Sequence, residues 1–189
     1  VLNRALMVLS VAGMAAISLP VQKAHAFGSA PHNFPELETV QNLEVDRYLG
    51  KWYEIARLDH SFERGLSNVT AEYRLREDGG VKVTNRGYSE EDQQWSEAEG
   101  KAYFVEDETV AHLKVSFFGP IYSSYIVFEL GENYDYAFVS GYNHDYLWLL
   151  SRTPNVDEKI LERFKQVAKE KGFALDELIL VDQESGRQF

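Results

Sequence analysis

The chain predicts an all-β fold, an eight-stranded antiparallel up-and-down barrel followed by one C-terminal amphipathic α-helix. Three observations predict it. Alternating apolar and polar residues recur in eight short segments, hairpin-type links join them, and a helical period replaces the alternation only near the C-terminus. Eight strands suffice to close a barrel around one small ligand.

The chain opens on a targeting pattern. Arg4 precedes the apolar run Ala5 to Leu19, and Ala24-His25-Ala26 has the small-x-small form of a cleavage site. Residues 1–26 are therefore expected as a signal peptide. An uncleaved anchor helix is the lesser reading, because the run falls short of the ~20 apolar residues a span needs. Residues 27–42, with Pro31 and Pro35, predict an irregular N-terminal arm, and residues 43–189 the barrel domain.

A short helical turn is expected at Val45 to Tyr48, and strands follow at Lys51 to Leu58, Asn68 to Arg76, Val81 to Gly87 and Ala98 to Val105. The remaining four are Val110 to Phe117, Ser124 to Leu130, Tyr136 to Ser140 and Tyr146 to Ser151. Glu77-Asp78-Gly79-Gly80, Gly131-Glu132-Asn133 and Asn143-His144-Asp145 are turn sequences, and links this short force antiparallel neighbours. The longest gap, Asp59 to Ser67, carries Phe62 and Leu66 among charges and suits a lid over a barrel mouth. Over Val156 to Lys171 the period becomes helical, with Ile160, Leu161, Phe164, Val167 and Ala168 on one stripe, Asp157-Glu158 in the first turn and Gly172 beyond the end. A last strand is expected at Leu178 to Val181.

Composition narrows the function. At 189 residues and 44% hydrophobic, the chain suffices for one domain with a sizeable core. Its net charge is -11, and removal of residues 1–26 leaves 17 cations against 30 acids, or -13. So acidic a chain lacks the positive footprint of a nucleic-acid binder and is repelled by anionic bilayers. With no cysteine, disulfides, thiolate metal sites, thiol nucleophiles and lipid attachment through cysteine all fall away. His25, His32, His60, His112 and His144 show no metal spacing, and no Gly-x-Ser-x-Gly elbow is present. Neither a metal nor a cofactor is expected, and no catalytic residue is assigned.

Five stretches carry a resemblance: Gly50-Lys51-Trp52-Tyr53-Glu54-Ile55-Ala56-Arg57, Asn85-Arg86-Gly87-Tyr88, Gly100-Lys101-Ala102-Tyr103-Phe104, Lys114-Val115-Ser116-Phe117-Phe118-Gly119-Pro120 and Tyr146-Leu147-Trp148-Leu149-Leu150-Ser151-Arg152-Thr153-Pro154. On them the chain, from about Leu43 to Val181, resembles the lipocalin family, in particular its bacterial outer-membrane members and their apolipoprotein D and plant temperature-induced relatives. The resemblance implies that Gly50, Trp52 and Arg152 close the narrow end of the barrel, with the guanidinium packed across the indole. Such a contact contributes about 0.5–2 kcal/mol. Two features depart from the family. Many bacterial members carry a lipid-modified cysteine after the signal, so outer-membrane anchoring is not expected here, and Leu130-Gly131-Glu132 stands where the family has a Thr-Asp-Tyr turn.

Alternation orients the ligand site. Ala71 and Tyr73, Val83 and Asn85, Ala102 and Phe104, Leu113, Val115 and Phe117, and Tyr146 and Trp148 fall on inward rows, while Glu72, Lys82, Thr84, Lys101, His112 and Lys114 face solvent. Glu54 shares the parity of Trp52, and Tyr125 adds a hydroxyl. Ala56, Ala71 and Ala102 leave volume for a cavity. A lining of this kind suits an amphiphile, with its chain in the aliphatic depth and its polar end near the mouth. Burying roughly eight methylenes at about 0.8 kcal/mol each points to micromolar affinity. Glu54 reads first as a salt-bridged structural acid and second as a ligand contact.

The expected function is noncovalent binding, storage or transport of a fatty acid or lysophospholipid in the periplasm or outside the cell. Among family alternatives, a prostaglandin-synthase activity needs a cysteine, and a haem carrier needs an inward histidine that is not evident. A lipid-modifying enzyme on the same barrel, and an interaction module using Phe117 to Tyr122, stay open. That apolar loop reads as pocket rim, as a weak membrane contact, or as the contact of a homodimer.

Overall fold

The computed structural model describes residues 37–183. The expected signal peptide and residues 27–36 of the expected arm lie outside the described residues. The helical turn α1 (Val45–Tyr48) precedes β1 (Gly50–Arg57), β2 (Leu66–Leu75), β3 (Val81–Ser89) and β4 (Gln94–Phe104). Then come β5 (His112–Phe118), β6 (Ile121–Leu130), β7 (Tyr136–Ser140), β8 (Leu147–Ser151), helix α2 (Glu158–Glu170) and β9 (Ile179–Leu180). From β1 to β8 each strand pairs antiparallel with the next, and β1 also pairs with β8, so the meander closes into a barrel.

The predicted and observed strands differ most at β4, which begins at Gln94 rather than Ala98. Its pairing with β3 runs unbroken from Val81↔Ala102 to Ser89↔Gln94. This outer half of the hairpin is exposed on both faces, so it carries no apolar alternation to mark it. At the opposite edge, β1 and β2 stay paired only as far as Tyr53↔Thr70. Beyond that point β9 pairs with β1 through Ala56↔Leu180, and Gln183 Nε2 donates to the carbonyls of Glu54 and Val69, 2.8 Å from each. The last strand thereby stitches the split. Part of the expected arm also belongs to the wall: Val40 N–H donates to Val127 O at 2.9 Å and Ala111 N–H to Val40 O at 3.0 Å.

Two apolar layers result. The inner one surrounds the lumen, and the outer one fills the gap between the barrel wall and α2, where Ile55, Phe138, Leu147 and Leu149 meet Phe164, Ala168 and Phe173. Asp157 caps α2 by accepting from Lys159 N–H at 2.8 Å. Gly172, at φ +88°, ends it in a reversed turn in which Phe173 N–H returns to Ala168 O. Phe164 then stands edge-on to Phe138, with centroids 5.1 Å apart.

Candidate functional site

The closed end of the barrel is built from a turn and one cation. Gly50 takes φ +92°, a region that favours glycine, and swings the chain from α1 into β1. Trp52 follows, fully buried, its Nε1 donating to Tyr48 O at 2.8 Å. The Arg152 guanidinium lies 3.8 Å from the centre of the indole. It donates to Tyr134 O, Lys51 O, Arg47 O and Tyr48 O at 3.2, 2.9, 2.6 and 3.1 Å. Five donors in a planar fork can satisfy so many carbonyls at once, including those α1 leaves open at its C-terminus.

Above this closure lies a cavity of about 590 Å³. Its walls include Ala71, Tyr73, Val83, Asn85, Ala102, Phe104, Leu113, Val115, Phe117, Tyr125, Tyr146, Trp148 and Glu54. Ala56 is a correction. It is fully buried in the outer layer against α2, because a register shift between Glu54 and Ala56 breaks the strict two-residue alternation of β1. His112 lies off the cavity on the outward row, as expected, but it is half-buried: its Nε2 has no partner among the described residues, and desolvation lowers its pKa.

The cavity is polar at two levels. The wall residues Glu54 and Glu63 are joined from behind by Arg57, whose Nη1 donates to Glu54 Oε1 at 2.9 Å and Nη2 to the backbone carbonyl of Glu63 at 2.7 Å. The Glu63 carboxylate accepts from Trp148 Nε1 at 3.1 Å. His60 Nε2 approaches the same oxygen to 2.9 Å, out of line for a hydrogen bond, and its ring stacks on Phe62 at 3.9 Å. Burial, reinforced by the neighbouring Glu63, pushes the Glu54 pKa well up against the opposing pull of Arg57. A proton on Glu54 lowers the charge that this buried cluster must hold away from water.

Deeper in, three hydroxyls meet. Tyr125 Oη lies 2.6 Å from Tyr48 Oη and 3.0 Å from Tyr73 Oη, and burial raises all three phenol pKa values, which keeps them neutral. At the open end Phe117, Phe118 and Ile121 border the cavity, and Phe118 and Ile121 are 81% and 75% exposed. Among the described residues no group of three acidic or histidine side chains could hold a metal ion. No helix among them is long and apolar enough to cross a membrane.

Three residues escaped the reading from sequence. Tyr48 sits on a single helical turn, where no period reveals which side faces the lumen. Glu63 lies in a loop, and only its apolar neighbours Phe62 and Leu66 hinted that this loop turns inward. Arg57 is 1% exposed although it ends a strand with a charge.

An antiparallel barrel holding a closed-bottomed apolar cavity defines a class of small-ligand binding proteins. Residues 43–183 match the lipocalin-like domain, and the chain belongs to that family. It is 64% identical over 149 residues to the outer membrane lipoprotein Blc of Vibrio cholerae, covering 78% of this chain and 87% of that one. It is 32% identical to temperature-induced lipocalin-1 of Arabidopsis thaliana, covering 76% and 81%. Insecticyanin from the tobacco hornworm Manduca sexta shares the fold at a TM-score of 0.65 and 18% identity, covering 80% of this chain and 86% of that one.

Proposed function

We propose that this protein binds a fatty acid or a lysophospholipid noncovalently and stores or carries it in the bacterial cell envelope. The cavity of about 590 Å³ carries the proposal, because a site of that size walled by Val, Leu, Phe and Ala takes an acyl chain. Its polar cluster at Glu54, Arg57 and Glu63 lies beside the loop that borders the mouth, within reach of a polar end. Binding asks for no bond-making step, so the reading assigns no catalytic residue. The envelope setting draws on the relative at 64% identity, which is named an outer membrane lipoprotein. The sequence has no cysteine to carry a lipid, and the proposed mature form begins at Phe27 and is periplasmic or secreted.

Native mass spectrometry of protein purified from cells, followed by organic extraction, tests the ligand. A bound acyl lipid is expected, and a cavity that neither carries one nor displaces a fluorescent fatty acid overturns the reading. Cell fractionation with N-terminal sequencing tests the location: residues 1–26 recovered intact in the membrane pellet would show an anchor. A second reading rests on Phe118 and Ile121, whose exposure suits a weak, salt-insensitive contact with a membrane or a second protomer. Vesicle flotation at low and high salt and sedimentation of Phe118→Ser beside the parent protein separate these from a simple pocket rim.

A further inference from the structure

Tyr48, Tyr73 and Tyr125 come from α1, β2 and β6, and β2 and β6 are separated in the sheet by three strands. Their hydroxyls therefore meet inside the lumen, not along one wall. Directly beneath, the Tyr48 ring lies 5.0 Å from Trp52 and 5.7 Å from Tyr73. The three tyrosines together form a floor over the closed end, and all three border the cavity. Phenylalanine at these positions would close the barrel with the same rings and bury no polar atom.

The proton count of this floor is incomplete. Three hydroxyls supply three donors, and the two contacts among them use two. One O–H and several lone pairs are left to face the cavity, where a ligand that displaces solvent must satisfy them or bury them at a cost. Among the described residues no cation is hydrogen-bonded to the three: Arg57 is committed to Glu54 and Glu63, and Arg152, whose charge reaches the tyrosines only through space, lies on Trp52 and the carbonyls around it. A carboxylate lowered to this depth would be desolvated without a hydrogen-bonded cation beside it. A neutral oxygen would not need one.

We propose that Tyr48, Tyr73 and Tyr125 form a second polar subsite that accepts a neutral oxygen, a hydroxyl or a carbonyl, at or near the far end of an acyl chain. The ligand would then be polar at both ends, its acid or head group near the mouth and its second oxygen on the tyrosines. This rests on the lipid-binding reading above and specifies its ligand. In an apolar floor, adding such a hydroxyl would weaken binding about hundred-fold or more, since it would be buried without a partner.

The test compares tetradecanoic, hexadecanoic and octadecanoic acids with their ω-hydroxy counterparts, by displacement of a fluorescent fatty acid from the parent protein, Tyr125→Phe and Tyr73→Phe. At the chain length that reaches the floor, the ω-hydroxy acid should bind the parent protein at least as tightly as the plain acid. Tyr125→Phe should lower the ratio of the two affinities by about ten-fold, one hydrogen bond's worth. Tyr73→Phe should act in the same direction and serves where a melt shows Tyr125→Phe unfolded. The inference is overturned if every ω-hydroxy acid binds the parent more than about ten-fold worse than its plain acid, or if the ratio moves by less than about three-fold in the folded variants. Failure of plain and hydroxylated acids alike to bind the parent protein would refute the lipid-binding reading itself, and this subsite with it.

Discussion

Replacing Arg152 by Met keeps the aliphatic stem and removes the cation that caps the barrel. The contact with Trp52, at 3.8 Å over a fully buried indole, contributes about 1–2 kcal/mol. Of the four carbonyl bonds, those to Arg47 O and Lys51 O are exposed and contribute little, because water replaces the donor. The two to Tyr48 O and Tyr134 O are partly buried and add about 1 kcal/mol each. Arg152→Met should therefore cost about 3 kcal/mol, and Trp52→Ala about 3–5 kcal/mol. Urea unfolding followed by circular dichroism reads this directly: with a slope near 2 kcal/mol/M, the midpoint for Arg152→Met should fall by about 1.5 M. A double-mutant cycle with Trp52→Leu should return a coupling of about 1–2 kcal/mol. A loss below about 1 kcal/mol, or a coupling near zero, would show that the stacked cation is a spectator and that the turn closes the barrel unaided.

Further outcomes follow from the rest of the molecule. Because the folded protein holds the Glu54 proton to higher pH than the unfolded chain does, the contribution of Glu54 to stability should be greatest below the usual glutamate value of about 4.3 and be lost as pH rises through the raised one. Glu54→Gln should flatten that fall in urea titrations carried upward from about pH 4.3, and an unchanged slope would show that Glu54 takes up no extra proton on folding. Ala102→Trp, on the cavity wall, should abolish displacement of a fluorescent fatty acid while the melt stays cooperative; unaltered affinity would place the ligand elsewhere. Phe164→Ala empties the joint between α2 and Phe138 and should cost about 3–5 kcal/mol with ligand affinity unchanged in the folded fraction, so a selective loss of binding would count against an outer, structural role for that layer.

The barrel was legible because its causes are local. A strand that buries one face must alternate, a two- to four-residue link must reverse the chain, and a helix lying on a wall must carry one apolar stripe. Hence the order of eight strands, the helix near Val156 to Lys171 and the trailing strand could all be read before any contact was known. The alternation also predicted inward rows in β2 to β6 and β8, where it runs with little interruption. It failed at Ala56, since a one-residue shift reverses every later side chain and leaves no mark in composition.

What only the tertiary structure decided is chemistry between elements distant in sequence. Arg57 gave no sign of burial and Glu63 only the indirect one of its apolar neighbours, because a charged residue at a strand end and another in a loop are normally solvated. Closure of the barrel brings the Glu63 loop over Trp148, 85 residues away, and forces two carboxyl groups and a guanidinium to share one dry space. The tyrosine floor has the same origin, since Tyr48 and Tyr125 stand 77 residues apart and neither motif nor period relates them. Residue types and spacing thus determined which faces turn inward; only closure of the sheet determined which polar groups meet there, because hydrogen bonds depend on positions to within a fraction of an ångström.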